Sequence, residues 1–170
     1  MTEPKILHAS LDGVHVLRLA GELRYPISPS IECFLDRLFA ETDPVGFVVD
    51  LTETEYIDST NLGLLARIAK EMKARGGKRV TLVSTRTDIN EVLLAMGFDE
   101  VFDLVRRPWN TPARGQALPL EEADRGALAH TVLEAHRILM ALNERNRDQF
   151  QDVVAALERK ARAQSGSGGS

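Results

Sequence analysis

The run Tyr56-Ile57-Asp58-Ser59-Thr60-Asn61-Leu62-Gly63 gathers a carboxylate, two hydroxyls and an amide where a strand-like stretch gives way to helical spacing. Asp58, Ser59 and Thr60 all belong to the residue types that cap helices, because their side-chain oxygens accept from the unpaired N–H groups of a first turn. A hydroxyl placed there lies in the field of those groups, so a phosphate attached to it is stabilised by the helix dipole and by direct hydrogen bonds. Such a phosphate brings about two negative charges and three acceptor oxygens, enough to abolish docking of a surface that must be desolvated in a complex. Two readings of Ser59 follow from the local pattern: a phosphate acceptor with Asp58, Thr60 and Asn61 as its surroundings, or a plain helix cap.

Other chemistry is sparse. His8, His15, His130 and His136 show no metal-ligand spacing, and the lone Cys33 permits neither an internal disulfide nor a thiolate cluster. Cys33 is expected to be a buried thiol, the usual place of a free cysteine. No glycine-rich phosphate loop occurs, since Gly76-Gly77 follows a helical stretch instead of preceding one. No nucleophile with a base, paired acids or metal cluster emerges, so catalytic residues, metal sites and cofactors are expected to be absent.

The elements that must position the Ser59 run can be read from periodicity. Asp12-Gly13 suits a tight turn between a strand near Lys5 to His8 and the alternating Val14 to Ala20. Ile31, Phe34, Leu35, Leu38 and Phe39 recur at helical spacing, with Ser28 or Ser30 available as the cap and an end near Ala40. Val45 to Leu51 and Val80 to Val83 are apolar without alternation, as in neighbouring parallel strands covered on both faces. Between them Leu62, Leu65, Ala69 and Met72 mark a helix from Thr60 to Arg75, ended by Gly76-Gly77, and a right-handed crossover is expected. A short helix carrying Ile89, Val92, Leu93 and Met96, capped at Thr87-Asp88, and a strand from Val101 to Val105 complete a βαβαβ layout behind the opening hairpin.

The three prolines and the glycine between Arg107 and Pro119 break regular structure and place a boundary there. Beyond it Leu128, Val132, Ala135, Leu139 and Leu142, then Phe150, Val153 and Leu157 after Asn146, form the stripe of one long helix or a helix pair. That stripe either packs back on the domain or serves a partner or self-association, with Asn146 fixing register. The expected organisation is a domain over 1–107, a linker over 108–119, a helical extension over 120–163 and a flexible tail over 164–170.

Composition bounds the partners. The 170 residues suit one domain and an appendage, and 44% hydrophobic with 27% charged residues are globular proportions. A net charge of -4 and a pI near 5.6 disfavour nucleic acid and anionic membranes. No stretch reaches the roughly 20 apolar residues of a membrane span, and the first ten residues lack a leader pattern, so the cytoplasm is the expected location.

The run Asp58-Ser59-Thr60-Asn61-Leu62-Gly63 resembles the Asp-Ser-Ser-Gly-Leu-Gly signature of the STAS-domain anti-sigma factor antagonists. Gly21-Glu22-Leu23 is similar to that family's Gly-Glu-Leu turn, Val48-Val49-Asp50-Leu51 to its central strand, and Leu94-Ala95-Met96-Gly97-Phe98 to a late helix-to-strand corner. The resemblance spans about Lys5 to Arg107 and implies an α/β fold of STAS type, a mixed sheet covered by helices, to which this chain adds a C-terminal helical extension. It implies phosphorylation at Ser59 by a partner serine kinase and clearance by a PP2C-type phosphatase. The unphosphorylated form would bind an anti-sigma factor, with Arg24, Leu62, Leu64 and Arg67 as partner contacts. Asn61, in place of a small residue, and Arg24, where many members carry an acid, depart from the pattern. The competing expectation is a scaffold subunit of a stressosome or lipid-transport assembly, which binds regardless of Ser59.

Overall fold

The computed structural model describes residues 2–109 and 115–166. Strands β1 (Lys5–Leu11) and β2 (Val14–Leu23) form an antiparallel hairpin closed at Asp12-Gly13, whose positive φ values of 52° and 80° supply the tight turn. Helix α1 (Ser28–Glu41) returns the chain to β3 (Gly46–Asp50), and β4 (Thr54–Ile57) leads into α2 (Ser59–Ala74). Then follow β5 (Thr81–Val83), α3 (Thr87–Ala95), β6 (Asp103–Val105), β7 (Gln116–Ala117), α4 (Arg125–Leu142) and α5 (Glu144–Gly166).

Among the described residues the sheet order is β6-β5-β3-β2-β1-β7, parallel from β6 to β2 and antiparallel at β1 and β7. The expected central parallel pair is present, with Val49 opposite Leu82. Its residues are buried because helices lie over them, which is why the sequence shows apolar runs there and not alternation.

β2 serves two neighbours in turn. Val14 to Arg18 pair with β3, and Gly21 to Leu23 pair with β4 across a bulge at Gly21/Glu22, Leu23 lying opposite Ile57. Gly21 has φ 85°, and a Cβ there would stand 2.6 Å from the Glu3 carbonyl oxygen, so this bend excludes other side chains. Gly21-Glu22-Leu23 therefore continues β2 as a bulged strand, where a turn was expected. Strand β4 has no separate signal in the sequence, because its four residues read Thr-Glu-Tyr-Ile with only the ends buried.

Local expectations meet two corrections in α1. Its N-cap is Ile27, without a side-chain cap; the Ser28 hydroxyl donates to the Tyr25 carbonyl and the Ser30 hydroxyl donates to the Glu121 carbonyl. Cys33 is exposed, where a buried thiol was expected. Ile31, Leu35, Leu38 and Phe39 face the core, and position 33 falls two residues, more than half a turn, off that stripe.

The C-terminal segment is a helix pair broken at Asn143, which is extended and whose side chain accepts from the Asn146 N–H. It packs back on the domain: α4 meets α1 and α2, and Leu139 and Phe150 join the core of the sheet and the first helices. The buried face of α5 runs through Asn146, Phe150 and Val154, whereas Val153, expected on the stripe, is 43% exposed. The 108–119 segment, expected as a linker, carries β7, which pairs with β1, and α5 continues through Gly166 into the segment expected as tail. Residues 110–114 and 167–170 lie outside the described residues.

On the hairpin, His8 and His15 hydrogen-bond through Nε2 and Nδ1 at 2.9 Å and stack on each other, between Phe34 and Phe47. Burial lowers both imidazoles from 6.5, and for His8 the neighbouring His15 charge adds to this. A histidine with a depressed folded-state pKa contributes stability above its unfolded value and loses it as pH falls through that value, because the unfolded chain then binds more protons. The melting temperature of the wild type is expected to fall on acidification from about pH 7.5 to about 5.5. Replacement His8→Phe, which keeps a ring against Phe34, should reduce that slope by roughly half, one of the two depressed groups being gone; an unchanged slope in thermal melts would refute the assignment.

Candidate functional site

The site is built at the end of β4. Asp58 is extended, with φ -88° and ψ 173°, and its N–H donates to the Leu23 carbonyl, so the chain leaves the sheet at a fixed point before the helix begins. The Asp58 carboxylate then accepts from the backbone N–H of Asn61 and from its side-chain amide, both at 3.0 Å through Oδ1. Asp58 is the N-cap of α2, and Ser59 is the first helical residue. This matches the capping expected from the sequence to within one residue.

Asn61, the departure from the family pattern, thus has a structural task, tying the first turn's buried side to the capping carboxylate. Asn61 is 1% exposed, and its own Oδ1 is buried without a hydrogen-bond partner. Thr60 is also buried, whereas Asp58 and Ser59 are partly open to solvent.

Ser59 has a partner that no local pattern announces. Its Oγ lies 2.8 Å from Nε2 of His136, on α4, 77 residues later. Nδ1 of His136 faces the Val132 carbonyl at 2.7 Å and must carry a proton to bond with it, so Nε2 is the acceptor and the Ser59 hydroxyl donates. The His136 ring is buried, edge-on to Phe150 at 5.4 Å between centroids. A nucleophile beside a base, which the sequence did not reveal, is therefore present. Two clefts border α4, but neither is lined by Ser59 or His136, and the pair instead closes a helix-to-helix contact.

That contact is tight at one point. A Cβ added to Gly63 would collide with the carbonyl oxygen of Ala135 and lie 2.7 Å from its Cβ, so the absence of a side chain at 63 is what lets α4 cross α2 at this height. Gly63 and Ser59, one turn apart on α2, therefore both face α4, although the sequence suggested only that they form a helix start.

The residues expected to meet a partner have separate fates. Leu62 and Leu64 are each 1% exposed, covered within the fold. Arg67 pairs with Asp36 of α1 at 2.6 Å. Arg24 is the open one: its guanidinium stacks over Tyr56 at 4.4 Å and lies 3.7 Å from the Glu22 carboxylate. The structure thus brings Asp58, Ser59, Thr60 and Asn61 together at one helix start and disperses the other four. Among the described residues there is no group of three or more His, Cys, Asp or Glu placed to hold a metal, and no helix long and apolar enough to cross a membrane.

The family model of the STAS domain matches residues 6–112, more than half of the chain. The chain belongs to the STAS domain family. Solved structures with this fold include an anti-sigma factor antagonist from Mycobacterium paratuberculosis, 24% identical, with a TM-score of 0.54 over 62% of this chain and 87% of that one. The anti-sigma factor antagonist SpoIIAA in its unphosphorylated form is 18% identical, with a TM-score of 0.53 over 59% and 87%. A putative anti-sigma factor antagonist from Thermotoga maritima is 22% identical, with a TM-score of 0.53 over 63% and 87%. At these identities the likeness is one of fold: an α/β STAS domain with a mixed sheet, to which this chain adds the α4 and α5 helices. Ser59 sits inside the matched STAS domain and His136 outside it.

The cap itself is open to test. Asp58→Ala removes the acceptor for two donors, one of them a buried amide, and is expected to lower stability by about 2 kcal/mol, the cap contributing roughly half. Asp58→Asn, which keeps an acceptor oxygen, should lose less than half of that. Urea unfolding of both variants measures the difference, and equal losses would show that Oδ1 is not the acceptor that matters.

Proposed function

We propose that this STAS domain is an anti-sigma factor antagonist whose choice of protein partner depends on phosphorylation of Ser59. The observation that carries this reading is the placement of Ser59: a partly exposed hydroxyl on the first residue of α2, at the strand-to-helix junction, in a chain of the STAS family. A phosphate there gains from the helix dipole while placing about two charges on a surface that a partner must desolvate. The domain need not refold for the switch to work, because like-charge repulsion and desolvation act on docking alone.

In this scheme the unphosphorylated protein occupies an anti-sigma factor and so frees a sigma factor. A serine kinase transfers the phosphate from a nucleoside triphosphate, and a PP2C-type phosphatase removes it. Arg24, already oriented by Tyr56 and Glu22, is the exposed charged residue beside the β2 end of the site, and its planar guanidinium suits either a partner carboxylate or the phosphate. The likeness in fold to structures described as anti-sigma factor antagonists supports the partner class. The scaffold alternative needs no phosphate, and no specific contact in the structure favours it.

Intact-mass analysis of the protein from its native host is expected to find one added phosphate on the wild type and none on Ser59→Ala. Pull-downs with Ser59→Ala and Ser59→Asp as baits should then retain different proteins, the anti-sigma factor following the Ala form. No phosphate under any growth condition, with identical partners for both baits, would reduce Ser59 to a helix cap and transfer the protein to the scaffold class.

A further inference from the structure

The contact between α4 and α2 combines a buried apolar seam, with Leu133, Ala135 and Leu139 inside, and open clefts that carry charge. At the crossing the backbones touch through Gly63 and Ala135, and on either side the helices part around charged clefts. One, of about 350 Å³, lies between α1, α2 and α4 and includes Glu32, Asp36, Arg67, Lys70 and Glu134. The other, of about 810 Å³, lies along the second half of α2 and includes Lys70, Lys73, Arg79 and Arg137. Both clefts also have apolar walls, Leu64, Ala135 and Ile138 in the first and Ala66, Ala69, Ile138 and Leu142 in the second, so the helices border a mixed surface of the kind found between separable units of a chain.

Beside the buried Leu133, Leu139, Phe150 and Val154, the hairpin is tied by polar contacts to α1 and to the end of α3. Ser30 of α1 exchanges hydrogen bonds with the Glu121 backbone, and Thr131 donates to Glu32 at 3.2 Å. The Asn143 and Asn146 amides donate to the Met96 carbonyl at the end of α3. Glu32 is a carboxyl whose pKa is raised chiefly by burial, which marks α4 as covering a group that prefers water when charged. The one tie inside the Ser59 site is the hydroxyl bond to His136.

We propose that the α4–α5 hairpin is a displaceable intramolecular cover of α2, closed over Ser59 by the hydroxyl–imidazole bond and released when that hydroxyl is esterified with phosphate. The inference rests on the reading of Ser59 as a phosphate acceptor. On phosphorylation the Oγ–P bond forms, the bond from that phosphorus to its nucleoside diphosphate leaving group breaks, and the hydroxyl proton departs to the kinase's base. His136 then loses its donor. The 2.8 Å between Oγ and Nε2 has no room for a phosphorus and three oxygens, and the Nδ1 proton is already committed to Val132. In this proposal the phosphate pushes α4 away from α2, one turn from the close approach of Gly63 and Ala135. In its closed state the cover occupies the face of α2 around Ser59 that an external partner would need, so partner and hairpin compete for one surface.

The test uses the full chain with phosphoserine installed at position 59 during translation, compared with wild type by amide hydrogen exchange and mass spectrometry. Exchange in 125–142 is expected to accelerate by about tenfold or more, while β3 and β5 keep their protection. Gly63→Leu, which wedges the crossing without adding charge, should accelerate the same segment, and the protection of β3 and β5 reports whether that variant is still folded. Unchanged or increased protection of α4 in the phosphoserine protein would overturn the proposal and make the hairpin a fixed layer that clamps the phosphate, whatever Gly63→Leu does. Because the phosphate is installed directly, this result is independent of any kinase. Absence of phosphate on Ser59 in the host would instead strike at the partner-switching reading and leave the exchange measurement standing.

Discussion

The Asp58 cap is the constraint on which the site depends. One residue ends β4 by donating to Leu23, starts α2 by accepting from Asn61, and in doing so sets Ser59 as the first residue of a helix whose axis is fixed by the sheet. Everything that acts on the Ser59 hydroxyl acts through that placement: the amides of the first turn from below and His136 of α4 from above. The Asn61 side chain adds a second bond to the same carboxylate oxygen at the expense of its own buried Oδ1.

Much of this was legible in the sequence, for reasons that differ by element. The parallel pair β3 and β5, the α2 helix and its glycine ending show themselves because their signals are local: unbroken apolar runs, three-and-four spacing, and a Gly-Gly whose second N–H returns to the Met72 carbonyl. β4 escaped because a four-residue strand held on one side by the bulged end of β2 needs no periodicity of its own. The Asp58-Ser59 junction was visible as a cap, since capping chemistry is a property of three adjacent residues. Cys33 was misplaced by a rule about averages, where the phase of α1's apolar stripe already put it outside.

The Ser59–His136 pair was not legible, and could not have been from spacing alone. Its partners stand 77 residues apart, with β5, α3, β6 and β7 between their two helices, and the helical stripe containing His136 is read from its apolar members. Gly63 carries the faint signal that existed. A glycine in the second turn of an otherwise good helix former lowers helix propensity by about 1 kcal/mol relative to alanine, and such a position usually records a close approach by something else. Here the something else is the carbonyl edge of α4, so the glycine of the family-like run is already in use within the chain.

An intramolecular cover changes the energetics of partner choice even while it stays closed most of the time. Tethered to the domain, α4 competes at an effective concentration on the order of millimolar or more, which no free protein in a cell matches. An external partner therefore reaches α2 only in the open fraction, and its apparent affinity is reduced by that fraction. A phosphate that opens the hairpin would raise that fraction while placing a dianion on the exposed face. The same event then uncovers the surface and changes which partner the surface suits, rejecting one that must desolvate Ser59 and admitting one that supplies cations to it. The closed cover lowers the affinity of every partner for the unphosphorylated form, the anti-sigma factor included, and the phosphate that opens it rejects the partner that must desolvate Ser59, so it is the charge at Ser59 that decides which partner the uncovered surface admits.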